Sequence, residues 1–134
     1  MSKKLANSNI FSVSKTTISN LQTDWQNVMG KYCQNVTKID EIFQILIEKY
    51  SEKHRAYHNL SHINYLLEEA KKIEFEDSNA IFLTAWFHDA IYEPKKSDNE
   101  SESAKLAVKL LNEISFPFDR IAKIEQIILA TQAH

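Results

Sequence analysis

The run Ala80-Ile81-Phe82-Leu83-Thr84-Ala85-Trp86-Phe87-His88-Asp89-Ala90-Ile91-Tyr92 decides how this chain folds. Up to Phe87 it is apolar but for Thr84. Wound as a helix, such a run has no polar face to turn to water, and a helix apolar on nearly all sides is a central one. With Asp77 or Ser78 as its cap, it is expected to continue to about Tyr92. His88 and Asp89 then stand at the inner end of the most buried element. An unpaired charge in such a place costs several kcal/mol of desolvation. The pair therefore needs partners: each other and a cation, or a metal ion.

Outward from that run, the chain reads as further helices. Ile18, Leu21, Trp25 and Val28 recur at helical spacing and predict a first helix over about Thr16 to Tyr32, with Gly30 loosening its last turn. A second is expected from about Val36 to Lys53, capped by Thr37 or Asp40, with Ile39, Ile42, Phe43, Leu46, Ile47 and Tyr50 inward. A third begins near Tyr57 to Asn59 and runs to about Ile73, burying Ile63, Leu66, Leu67 and Ala70. After the central run, Glu93-Pro94-Lys95-Lys96 breaks the helix. A fifth helix is expected over about Asn99 to Ile114. Phe116-Pro117-Phe118 turns the chain, and Asp119 helps to start a sixth helix with the stripe Ile121, Ile124, Ile127, Ile128 and Thr131. The fold class is all-α: a single compact bundle of about six helices, over residues 15–134, behind a flexible leader of residues 1–14, whose Ile10, Phe11 and Val13 can dock on a neighbour although their spacing does not decide it. The chain stops at Thr131-Gln132-Ala133-His134 with no Gly, Asn or basic turn to close the helix, so a domain truncated at its C-terminus is expected.

Composition agrees with long helices and short connections, since 134 residues contain one glycine and two prolines. A net charge of −2 provides no basic field, which argues against a nucleic-acid polymer as partner. Cys33 is the single cysteine, so no disulfide framework exists and a cytoplasmic location is the default. The first residues lack the apolar core of a signal peptide, and no apolar run approaches ~18 residues, so no membrane association is expected. Apolar surface left by a cut final helix would favour a homodimer.

Imidazole and carboxylate together hold zinc, manganese, iron or cobalt. Arg55-Ala56-Tyr57-His58 lies some thirty residues before His88-Asp89, and His62 follows His58 by one helical turn. Neighbouring helical residues diverge by ~100°, so His88 and Asp89 meet one ion only at a helix end or if Asp89 reaches around. Each residue also has a plainer reading. His88-Asp89 can be a buried pair without a metal, and His58 a helix-start imidazole bonded to backbone. His62 reads equally as a substrate contact or a core histidine, and His54 as solvent-exposed. Arg55 can pair with Glu52 or Asp89. Asp98-Asn99-Glu100 can simply cap the fifth helix, Lys95-Lys96 can be a solvated loop, and Cys33 reads as inert.

Four blocks, taken in order, are similar to a known family: Tyr57-His58-Asn59-Leu60-Ser61-His62-Ile63; Ala85-Trp86-Phe87-His88-Asp89-Ala90-Ile91-Tyr92; Asp98-Asn99-Glu100 with Ser103-Ala104; and Ile128-Leu129-Ala130-Thr131 with His134. Over roughly residues 20–134 the chain resembles the HD-domain superfamily of metal-dependent phosphohydrolases, and within it one uncharacterised bacterial branch. The resemblance implies an all-α fold around a divalent metal ion (Mn, Fe, Zn, Co or Mg), with His58, His88 and Asp89 as three ligands. It implies a fourth ligand, an aspartate on a later helix; no aspartate follows Asp119, so that ligand is expected beyond His134. The expected function is hydrolysis of a small anionic phosphoester, nucleotides among the candidates. Arg55 would meet a substrate phosphate, Glu100 or Asp98 would act as general base, His62 would lie beside the substrate, and Lys95 and Lys96 would attract the anion. The alternative is a helical regulatory module that binds metal or nucleotide without turnover.

Overall fold

A computed structural model describes residues 13–55 and 58–131. Among them are six α-helices and no strand, as expected for an all-α bundle: α1 Lys15–Met29, α2 Val36–Tyr50, α3 Leu60–Ala70, α4 Ser78–Phe87, α5 Asn99–Glu113 and α6 Phe118–Ala130. Of the expected leader, only Val13 and Ser14 are described: Val13 packs on the core, and the Ser14 hydroxyl caps α1 by accepting from Thr17 N–H. Tyr57 and His134, both quoted above, lie outside the described residues.

α4 is the centre. Leu83, Trp86 and Phe87 are almost fully buried, and Trp86 and Phe87 meet the Trp25 ring edge-on at 5.8 and 6.1 Å. Phe43 of α2 completes this aromatic cluster. Such tilted and edge-on pairs add to what their area burial alone contributes. The Trp25 indole N–H is satisfied by the Ile39 carbonyl at 3.0 Å, which ties α1 to α2. α5 packs along α6, α6 also covers α4, and α3 lies against α4.

Several boundaries differ from expectation, each for a local reason. α2 is capped by Asn35, whose side chain accepts from Lys38 N–H, and not by Thr37 or Asp40. It ends at Tyr50 and not at Lys53, closing through turns at Ser51 and Glu52. α1 and α3 likewise stop three residues early, their last predicted residues forming turns bonded back to Met29 and to Leu67, Glu69 and Ala70. The most consequential difference is α4, which ends at Phe87 and not at Tyr92. Pro94 has no N–H to give to the Ala90 carbonyl four residues back, and it disfavours helical backbone at Glu93. That carbonyl is instead taken by Arg55. Those effects act at Ala90 and Glu93; the earlier closure comes at Trp86, whose carbonyl accepts from the Tyr50 hydroxyl while Ala90 N–H bonds to the Phe87 carbonyl in a tight turn, leaving Asp89 just beyond the helix end.

Candidate metal centre

The early end of α4 puts the adjacent His88 and Asp89 at a helix terminus. His88 is the C-cap residue, and Asp89 follows it in a turn closed by Ala90 N–H on the Phe87 carbonyl. Opposite them, Asn59 caps α3 by accepting from His62 N–H at 3.1 Å. This cap places His58 just before the helix and His62 in its first turn. Because α3 packs on α4, the two groups converge.

Donor atoms of His58, His62 and Asp89 all lie within 4.8 Å of one another. His58 Nδ1 is 2.9 Å from Asp89 Oδ2. The His58 and His62 rings meet edge-on at 6.0 Å, and the Tyr92 ring lies 4.4 Å from His58. Burial lowers the pKa of His62; Asp89 pulls it up, while His58 and His88 push it further down, and the net effect is a lowered value. A neutral imidazole is the form that can ligate a metal.

His88, expected in the ligand set, stands beside the trio and outside it. Its Nδ1 is 2.9 Å from the Ala85 carbonyl, an acceptor only, so that nitrogen carries the proton. In the neutral ring Nε2 is then a bare lone pair, 3.3 Å from Asp89 Oδ2. Two acceptors that close repel each other unless a proton or a metal cation lies between or beside them. This donor arrangement fits a divalent cation, and His62, read from sequence as a substrate contact or core histidine, is the imidazole that joins His58 and Asp89.

Arg55 takes a different position from the one expected of a phosphate-binding residue. Its side chain is wholly buried. Nε donates to Glu52 Oε1 at 3.1 Å, Nη1 to the carbonyls of His58 and Asp89 at 2.8 Å each, and Nη2 to the Ala90 carbonyl at 2.7 Å. Four of the five N–H groups of a guanidinium are thereby engaged, and its face lies 4.8 Å from the Tyr50 ring centroid. The pairing with Glu52 was legible; the pairing with Asp89 goes to its backbone carbonyl and not to its carboxylate.

Glu100 stands half-buried in the first turn of α5, outside the metal-capable trio. Asp98 occupies the N-cap position without a side-chain cap bond. Lys95 and Lys96 are exposed. Cys33 is buried, its thiol 3.5 Å from the Ile114 carbonyl. His54 is exposed as expected, yet it is not idle: Nε2 lies 2.6 Å from the Tyr92 carbonyl and the ring stacks on Tyr92. Three residues that sequence reasoning gave no chemistry sit around the site: Tyr50, whose hydroxyl donates to the Trp86 carbonyl at 2.6 Å, and Asn99 and Ser103 of α5. The only signal for the last two was their presence in the third block.

Comparison of the chain with protein-family models, with curated proteins and with solved structures gave no match. No helix among the described residues is long and apolar enough to cross a membrane.

Proposed function

We propose that this chain is a metal-dependent hydrolase of a small phosphoester, with its metal held by His58, His62 and Asp89 and with His88 beside them. The observation that carries the reading is the approach of two imidazoles at the start of α3 and one carboxylate at the exit of α4 to within 4.8 Å of one another. The approach of His88 Nε2 to Asp89 Oδ2 at 3.3 Å is compatible with it, because a metal cation, like a proton on His88, is attracted to both atoms. Mixed nitrogen and oxygen donors suit Mn, Fe, Zn or Co better than Mg, which favours oxygen. A divalent metal bound there would polarise a phosphoryl oxygen and lower the pKa of bound water. The protein's share is to present neutral imidazoles and one carboxylate at fixed spacing. Glu100 and Asp98, at the start of α5, remain the candidates for a base, and Lys95 and Lys96 are exposed to attract an anion.

One observation favours a second reading, a metal-binding helical module without turnover. Arg55 is engaged with Glu52 and three backbone carbonyls, so the cation expected to neutralise a phosphate is already committed. Metal analysis followed by assay separates the readings. Purified protein incubated with Mn, Fe, Zn or Co is expected to retain about one equivalent, and folded Asp89→Ala and His62→Ala variants are expected to retain less. Loaded protein is then offered a panel of nucleotides and aryl phosphates. Metal-dependent phosphate release, lost in both variants, supports the hydrolase; stoichiometric metal without turnover on any substrate supports the module. Equal metal content in wild type and both variants would remove the site.

A further inference from the structure

From Asp89 to Glu93 the backbone is neither helix nor strand, yet side chains from elsewhere take up its polar groups residue after residue. Arg55 donates to the carbonyls of Asp89 and Ala90. The Ser103 hydroxyl accepts from Ile91 N–H at 3.0 Å and donates to the Ile91 carbonyl at 3.2 Å. His54 donates to the Tyr92 carbonyl. The Asn99 amide accepts from Glu93 N–H at 3.0 Å and donates to the Glu93 carbonyl at 3.0 Å.

Satisfying buried polar groups explains part of this, but not all of it. Glu93 is exposed, so water would serve its N–H and carbonyl equally well. Asn99 nevertheless uses both ends of its amide on that one residue, and Ser103 does the same at Ile91. A two-point bond fixes the orientation of a residue as well as its place. Arg55 goes further. Its Nη1 donates at once to the carbonyls of His58 and Asp89, so one nitrogen sets the spacing between the two backbones that carry the donor groups.

We propose that Arg55, Ser103 and Asn99 are positioning residues that hold the 89–93 backbone so that the Asp89 carboxylate is presented to His58 at metal-binding distance. As an account of metal binding this rests on the function proposed above; as an account of where Asp89 is held it does not. Neither Ser103 nor Asn99 is a metal ligand or touches a reacting group. Groups that orient ligands in this way commonly change metal affinity by 10- to 100-fold when removed.

The test uses the 134-residue chain and two readouts. The first is metal-free: the NMR signal of the His58 Nδ1 proton shared with Asp89. The second is Co(II) affinity, followed by visible absorption. Asn99→Ala is the first variant, because Asn99 is only half-buried and its loss leaves the core intact. Asn99→Asp keeps the acceptor for Glu93 N–H but loses the donor, so it should fall between wild type and Asn99→Ala. Ser103→Ala follows, beside Ala107→Gly, a destabilising control on the same helix that touches none of these bonds. The expected result is a shifted or broadened His58 signal in Asn99→Ala and Ser103→Ala, Co(II) binding weakened by roughly 10- to 100-fold, and neither change in Ala107→Gly. Wild type that binds no metal while the His58 signal still moves in the variants would leave the positioning role standing and overturn the metal reading. An unmoved His58 signal in both variants, or an equal change in Ala107→Gly, would overturn the positioning role.

Discussion

Asp77 shows how much one side chain can do at the start of the central helix. Its carboxylate accepts from Ala80 N–H at 3.1 Å, capping α4, and from Arg120 and Lys123 of α6 at 3.0 and 3.1 Å. Burial works to raise its pKa, but the Ala80 N–H, Lys123 and Arg120 together outweigh burial and hold it at about 2, below the ordinary 3.8. A carboxylate with a depressed folded-state pKa stabilises the protein fully above the unfolded value, and that contribution is lost as pH falls through the folded one. The loss should therefore fall between about pH 4 and pH 2 and amount to roughly 2 kcal/mol. Urea unfolding of wild type and Asp77→Asn across that window checks this. Asparagine is also a good cap, so the variant keeps the helix start and should show a flatter pH dependence there; parallel curves would show that the ion pairs contribute nothing. The cap was legible in the sequence, because an Asp directly before an apolar run is a helix-start signal. The pairing with Arg120 and Lys123 was not, because it depends on how α6 is laid across α4.

At the scale of elements, α4 was legible as the centre because it offers no polar face, and the structure buries it accordingly. Its end was not legible. Periodicity continues through Ala90, Ile91 and Tyr92, and nothing local reveals that Tyr50, from another helix, will take the Trp86 carbonyl on which the next turn depends. The same limit hid the role of His62: its spacing from His58 was plain, but its approach to Asp89 requires both the Asn59 cap and the α3–α4 packing. The C-terminal end of α4 is also held from α2. Tyr50 is 1% exposed, and its hydroxyl donates to the Trp86 carbonyl. Burial pushes the phenol pKa well up, and Asp89 adds to this, so the group stays a donor at any ordinary pH. Tyr50→Phe keeps the ring and removes the bond, leaving a buried carbonyl short of a partner. The expected loss is about 1–2 kcal/mol, read as a lower urea midpoint at unchanged slope. A midpoint equal to that of wild type would mean that α4 is held at this end by Arg55 and packing alone.

Taken whole, the molecule places its candidate donors on two stretches of chain that fold together only when the core is complete. His58 and His62 belong to the start of α3, Asp89 to the exit of α4, and the aromatic cluster of Trp86 and Phe87 with Trp25 and Phe43 packs the last turn of α4 against α1 and α2. An unfolded chain does not hold these groups together, so a metal that binds the site binds the native state and stabilises the entire fold by mass action. At a free metal concentration of 100 times Kd the gain is about 2.7 kcal/mol. For a domain of this length that corresponds to a rise in Tm of about ten degrees. The dependence should be logarithmic in metal concentration and absent in Asp89→Ala, whose own Tm without metal supplies the baseline. Weak binding to exposed carboxylates would raise or lower both proteins alike, so the difference between them isolates the site. A Tm that does not respond to Mn, Zn or Co in wild type, or responds equally in the variant, would mean that His58, His62 and Asp89 are a hydrogen-bonded cluster within the bundle. Asp89 would then be held between two histidines for stability alone, and its replacement by Asn, which preserves the shape, should leave the metal-free protein less stable than wild type.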